Sequence, residues 1–280
     1  MGMAVKRLFP ILLYTAAITI GLNLTSCSKR NHSDTALAFV ALESRFLASA
    51  DQFSEILGGI LSDQYTLGDV KEQGSILFLT VDGHFCTVAL VPAPIPWSDL
   101  EGPCATSWMW EEATEVMQKH NAHLVVAVLG ETKTKLDRTL ILTKLISACL
   151  KTHPAVGVYW GDAPVVHSTQ MFLEESAQAS RENLPVLLWV EYRIQKNADG
   201  SVNIITSGLD ALGCMEIEIL RSRTDPKVLV NLAAGTAYML LQGENVDDGD
   251  TIGPDGQTRI KVTHEKSVWD RPGKVLRIHI

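Results

Sequence analysis

The sequence predicts an α+β fold with antiparallel sheets, and three observations carry that reading. Two turn dipeptides, Asp82-Gly83 and Asp199-Gly200, each lie between runs short and apolar enough to be strands, a strong local signature of a hairpin. Segments with apolar residues at three- and four-residue spacing flank both hairpins, the period of a helix that buries one stripe. The order of elements then reads β-α-β-β-α-β twice along the chain. That is the plan of a ferredoxin-like unit, an antiparallel sheet with both helices on one face. The expectation is two tandem ferredoxin-like units with antiparallel sheets, residues 36–130 and 156–280, joined by a helix within 131–155.

In the first unit, Ala36–Leu42 is an apolar strand. Phe53, Ile56, Leu57, Ile60 and Leu61 form one helical stripe, with Ser49 and Gln52 placed as a capping box at its start. Ser75–Val81 and Phe85–Val91 are the hairpin strands. Pro92, Pro94 and Pro96 lack a backbone donor, so the second of these strands must stop there and the chain continue extended. The next segment carries Trp97, Leu100, Trp108 and Trp110. These large rings are expected to lie across the body near Tyr159-Trp160-Gly161, with Trp108 in the core. Glu111–Asn121 reads as a helix and Leu124–Leu129 as a buried strand.

The linking helix, Lys133–Lys151, presents Leu136, Leu140, Ile141, Leu145 and Ala148 and stops before Pro154. The second unit is read as a strand at Val156–Trp160, a helix at Ser168–Asn183, an alternating strand at Leu188–Gln195 and its hairpin partner Val202–Ser207. Asp225-Pro226 then caps a helix running to Gly243, and strands at Arg259–Thr263 and Val275–Ile280 end the chain.

Composition bounds the function. The chain has 280 residues, 46% hydrophobic and 20% charged, an ordinary globular balance with a formal charge of −8. An acidic body without a Lys/Arg run argues against nucleic acid as a partner, which needs a basic face to displace counterions. Lys6 and Arg7 precede seventeen uncharged residues, Leu8–Leu24, and then Thr25-Ser26-Cys27. A basic start, an apolar run and small residues before a cut form an export signal, here residues 1–26. Leu24-Thr25-Ser26-Cys27 also resembles a bacterial lipobox, which implies lipid on the Cys27 thiol and a membrane as partner. Residues 27–35 then form a polar tether. The expected location is the cell envelope, with the body facing the periplasm or exterior. The remaining cysteines, Cys86, Cys104, Cys149 and Cys214, are not spaced like a metal site, and they read as buried free thiols rather than as disulfides.

Several residues invite chemistry. His120 and His123 form H-x-x-H, but they straddle a helix end and a strand start, so no metal is expected there. Asp247-Asp248-Gly249-Asp250 misses the calcium-loop register, since position twelve from Asp248 is Arg259, and reads as turns. Cys104 lies among Pro103, Ala105 and Trp108, an apolar setting that leaves a thiol protonated and inert. No Walker loop, G-x-S-x-G or dinucleotide fingerprint is present, and no cofactor is expected.

The strings PIPWSDLEGPCATSW, GVYWGDAPVVHS, TSGLDALGCMEIEI and DGDTIG together resemble the bacterial domain-of-unknown-function family 4261, over about Ala36 to Ile280. A family without an assigned activity brings no catalytic residues with it. The reading is therefore a membrane-anchored envelope lipoprotein acting as a non-catalytic binding or protective module. Its candidate contact residues are Trp97, Asp99, Glu101, Tyr159, Trp160 and His167. The competing expectation is a hydrolase using Cys104, or a carboxylate, with His167.

Overall fold

Thr35–Leu42 (β1) has no polar residue after its first, so neither of its faces can be left to water. The fold meets that demand by placing β1 inside a seven-stranded sheet. In the computed structural model, which describes residues 35–130, 134–253, 257–269 and 271–280, the neighbours of β1 are β5 (Ala122–Leu129) and β6 (Ala155–Trp160). Ala38 lies opposite Val126 on one side and Trp160 on the other. The signal segment, Cys27 and most of the tether fall outside the described residues. With β2 (Lys71–Gln73), β3 (Ile76–Val81), β4 (His84–Val91) and β7 (Val165–His167), the order is β2-β3-β4-β5-β1-β6-β7, and every neighbouring pair is antiparallel. Asp82 and Gly83 both take positive φ (50° and 80°), the turn their dipeptide demands between β3 and β4.

This order departs from the ferredoxin-like plan. There, the two strands joined through the first helix run parallel with one strand between them. Here the strands on either side of the first helix, β1 and β2, have three strands, β3, β4 and β5, between them. The helices are not on one face either. Ala36, Ala38, Val40 and Leu42 join a core with α1 (Ala50–Leu61) and α4 (Lys135–Thr152). Leu37, Phe39 and Ala41 point the other way, into a smaller core under α2 (Trp97–Ala105) and α3 (Ala113–Met117). The unbroken apolar runs of β1 and β5 are the physical reason, because a strand without alternation needs cover on both sides.

Helix α4 is buried nearly all round, as a helix passing through a core must be. Its hydroxyl side chains are satisfied within the helix: Thr139, Thr143, Ser147 and Thr152 donate to the carbonyls of Lys135, Thr139, Thr143 and Ala148. The second sheet shares the same core. It contains β8 (Glu191–Lys196), β9 (Val202–Ser207), β10 (Ile217–Ser222), β11 (Thr251–Ile252), β12 (Ile260–Lys266) and β13 (Lys274–Ile278), in the order β11-β12-β13-β10-β9-β8. Only the β10–β13 pairing in it is parallel, so the class is α+β with two mainly antiparallel sheets.

Three elements of the second half differ from expectation. Ala155–Trp160, expected to open a second unit, extends the first sheet instead. Leu188 and Trp189 belong to a short helical turn, α6 (Val186–Trp189), so the alternating strand begins only at Glu191; Trp189 is drawn inward, where its Nε1 donates to Thr143 Oγ1 at 2.9 Å. Between α5 (Thr169–Ser176) and α6 the chain is irregular where helix was expected. The remaining long helix, α7 (Pro226–Leu241), starts as its cap predicts, with the Asp225 carboxylate accepting from Lys227 N at 2.8 Å.

Candidate functional site at the junction of the proline-rich arm and the second sheet

The prolines stop β4, and two histidines hold the arm they form. His123 Nδ1 donates to Ala93 O at 2.7 Å, and His120 Nε2 accepts from Ile95 N at 2.7 Å while its Nδ1 donates to Met117 O. The H-x-x-H pair is thus a clamp on the proline arm. Burial, with the nearby His120, pulls the His123 pKa below its ordinary value, although the bond to Ala93 opposes this. Among the described residues no group of three His, Cys, Asp or Glu side chains is arranged to hold a metal.

Beyond the clamp, Leu100 and Cys104 of α2 and then Trp110 turn into the smaller core, and Trp97 packs at its margin. Trp108 corrects the expectation of a core ring: it is 38% exposed, whereas Trp110 is the buried tryptophan. The reason is local. Helix α2 ends at Ala105, Thr106 Oγ1 bonds back to Gly102 O at 3.0 Å, and the turn after it sends the two rings opposite ways.

Outside this turn lies a shallow cleft open to solvent, with about 10 Å³ of room, enough for about one water. Pro103, Thr106, Trp108 and Met109 form one wall, and Pro164, Val165 and Val190 form the other. Glu191, the first residue of β8, reaches into it. Glu191 Oε1 accepts from Arg193 Nη2 at 2.7 Å and Nε at 3.0 Å, and lies 3.4 Å from Thr106 Oγ1, whose proton is shared with Gly102 O. Its Oε2 is buried without a hydrogen-bond partner.

From Glu191 a polar strip runs across the outer face of the second sheet. The Arg193 guanidinium lies 4.9 Å from the centre of the Trp269 ring, and that of Arg271 lies 4.8 Å from the same ring. Arg271 also donates to Thr206 O and Ser207 Oγ, at 2.6 and 2.7 Å. Glu218, fully buried, accepts from Arg277 Nη2 at 2.8 Å, from Val268 N at 3.3 Å and from the Ser267 hydroxyl. Glu216 ties the preceding loop, accepting from Thr206 Oγ1 at 2.6 Å, Gly208 N at 2.7 Å and Asp210 N at 3.2 Å. Burial raises the Glu216 pKa against the pull of those bonds. Gly208, at φ 115°, has no room for a side chain: a Cβ there would sit 2.7 Å from both Ala163 Cβ and Trp189 O. So the strings GVYWGDAPVVHS and TSGLDALGCMEIEI meet at Ala163 and Gly208.

The six residues expected to form a contact site are not gathered here. Tyr159 stacks on Phe39 at 5.8 Å, over the smaller core. Its neighbour Trp160 faces the larger core, 6.3 Å from Phe172. His167 is fully buried beside Phe172; its Nε2 donates to Leu188 O at 3.0 Å and its Nδ1 is unpartnered. Burial pushes the His167 pKa down to about 4. Asp99 is half-exposed and accepts from Ser98 Oγ at 3.4 Å, Glu101 is exposed, and Trp97 packs at the edge of the smaller core. Cys104, its thiol pushed up to about 11 by burial, lies on the opposite face of the first sheet from His167. Cys86 and Cys149 are buried thiols and Cys214 is a half-buried one.

Sequence reasoning passed over Glu191, Arg193, Glu216, Glu218, Arg271 and Arg277. The available signal was acid inside apolar strands, in WVEYR and MEIEI, since a carboxylate in such a place needs a partner.

No curated protein and no solved structure matches the chain. A family model does, over the part of the second sheet from the end of β9 to β13 with helix α7, where the loop tied by Glu216 and the pair Glu218–Arg277 lie. Residues 205–279 of this chain are matched by the family described as Domain of unknown function (DUF4261).

Proposed function

We propose that this chain is a lipid-anchored, non-catalytic binding module of the cell envelope, held at a membrane through Cys27 with its body facing the periplasm or exterior. The observation that carries the non-catalytic part is the separation of the two best nucleophile and base candidates. Cys104 sits under α2 on one face of the first sheet, while His167 sits on the other with its Nε2 committed to Leu188 O. A nucleophile and its base must lie within hydrogen-bond reach of one another. A carboxylate on the proline arm is no better placed, because His167 is sealed from solvent and Asp99 and Glu101 lie toward the outside. The anchoring part is supported by the basic start, the apolar run and Leu24-Thr25-Ser26-Cys27. The recognition surface in this reading is the polar strip that starts at Glu191, not the six residues that the sequence alone suggests. Radioactive palmitate should label the parent and leave Cys27→Ser unlabelled; equal labelling removes the anchor. Turnover of an ester, peptide or glycoside that disappears in Cys104→Ser or His167→Gln removes the non-catalytic reading.

A further inference from the structure

The outer face of the first sheet is not evenly covered. In the core under α2 and α3, Ile76, Ala89, Val125 and Phe39 lie side by side on β3, β4, β5 and β1, each 9% exposed or less. Toward the Asp82-Gly83 turn, the next two rows of the same face read Phe78, Thr87, Ala127 and Leu37, then Thr80, Phe85, Leu129 and Thr35. Phe85 is 37% exposed, Phe78 and Leu129 are half-buried, and the two phenylalanine rings stack at 6.0 Å. A sheet that turned this corner to water would carry polar residues here, as Thr80 and Thr87 do. Phe78, Phe85 and Leu129 break that rule side by side, and adjoining exposed apolar groups mark a contact surface.

Two observations name what covers it. The first is where the chain enters. Thr35 opens β1 opposite Leu129, and Leu129 lies opposite Phe85, so at the usual strand spacing Phe85 sits about 10 Å from the end of the tether. Eight residue steps separate Cys27 from Thr35, at most about 27 Å of extended chain. A body anchored at Cys27 therefore keeps this corner beside the bilayer, whereas the exposed Phe46 follows the opposite end of β1. The second is charge. The chain carries a net charge of −8, yet none of the eight residues in these two rows is acidic. Asp82, in the turn at this corner, is tied down, its Oδ1 accepting from Thr66 N at 2.7 Å. Lys71 stands opposite Phe78 on the edge strand, and its exposed pairing with Asp69 at 3.8 Å is of the weak, exchangeable kind. Apolar rings with a lysine at the rim and no carboxylate among them suit a bilayer surface with anionic headgroups.

We propose, resting on the anchored reading above, that Phe78, Phe85 and Leu129 form a membrane-contact face that lies in the headgroup layer of the bilayer bearing the anchor. The test carries the full chain from detergent into vesicles of phosphatidylethanolamine and phosphatidylglycerol with bromines on their acyl chains. The emission that Phe85→Trp adds to that of the parent should fall about twofold or more with bromines just below the headgroups, the depth of an interfacial ring, and little with bromines at the chain ends. Phe78→Trp, on the neighbouring strand, should respond in the same way, so the test does not depend on one variant folding. Phe46→Trp, at the opposite end of β1, should keep its emission. Quenching of Phe85→Trp and Phe78→Trp no greater than that of Phe46→Trp overturns the proposal. So does emission that follows the ratio of protein to lipid and ignores bromine, which would make the face a contact between copies of the chain. Palmitate labelling judges the anchor separately. A labelled chain with unquenched indoles keeps the anchor and loses the face, and quenched indoles on an unlabelled chain keep the face without lipid on Cys27.

Discussion

The two sheets solve the same problem, covering a central strand, in opposite ways. In the first sheet β1 is apolar on both faces, and helices close both sides of it. In the second sheet the central strand β10 alternates: Ile217 and Ile219 enter the larger core, while Glu218 points outward yet is equally buried. Its outer row reads Arg193, Ile205, Glu218, Arg277 and Thr263 across five strands, and no helix of the described residues is packed over it. Cover comes instead from Ser267, Val268, Trp269 and Arg271, strapped down by charged hydrogen bonds. The outer face of the first sheet is therefore covered by apolar area, which is non-directional, and that of the second by paired charges, which are directional. Specific recognition needs directional groups already in place, and they lie on the second sheet and at its edge.

The sharpest way to break this contrast is to unpair the outer row. Arg277→Met leaves the Glu218 carboxylate buried with only Ser267 and Val268 as donors, and should cost about 3–5 kcal/mol in urea unfolding. Adding Glu218→Leu should recover much of that loss, because a buried pair replaced as a unit by apolar residues is often near neutral. A single variant within about 1 kcal/mol of the parent would show that Glu218 is hydrated and that the two sheets do not differ as described.

The first sheet is probed with its two neighbouring tryptophans. Trp110→Ala empties a site in the smaller core against Gly157 and should cost about 3–5 kcal/mol. Trp108→Ala, at the lip of the cleft, should cost about 0.5 kcal/mol or less, as surface changes do. Equal losses would mean that the exposed ring is also core.

Next in size is a pH effect carried by the core the sheets share. His167 is fully buried and titrates near 4, below the roughly 6.5 of an unfolded histidine. Between these values the unfolded chain binds the extra proton, so stability must fall as pH drops from about 6.5 to about 4, by up to about 3 kcal/mol. Below that the loss levels off, since both states are then protonated. His123 and His153 are shifted the same way by burial and add to the slope. His167→Gln should reduce the acid sensitivity in this window relative to the parent. Parallel stability curves for the two would mean that His167 is protonated freely in the folded state.

How much of this was legible depends on the kind of force that acts. Periodicity marked β3, β4, β9, α1 and α7 within a few residues, because hairpin turns and caps are local chemistry: Asp82-Gly83, Ser49 and Asp225 do what their sequence says. Strand order was not local. Nothing within Ala155–Trp160 tells it to pair with β1, over a hundred residues away, rather than to start a new sheet. Strand β10 escaped because Glu216 and Glu218 disguise it as polar, although the charges are the point of the segment. The expected contact residues are scattered for a related reason. Tyr159, Trp160 and His167 look like recognition residues by type, but alternation along β6 and β7 sends them into cores on both sides of the sheet.

A small expected effect decides what the strap over the second sheet depends on. Trp269 lies between two guanidinium groups, each stack worth about 0.5–1 kcal/mol where the ring is partly solvated. Yet neither arginine relies on the ring for its position: Arg271 keeps Thr206 O and Ser207 Oγ, and Arg193 keeps Glu191. Trp269→Leu should therefore lower stability by about 1 kcal/mol, read by urea unfolding. A loss as large as that of Arg277→Met would make the ring, not the ion pairs, the cover of the sheet.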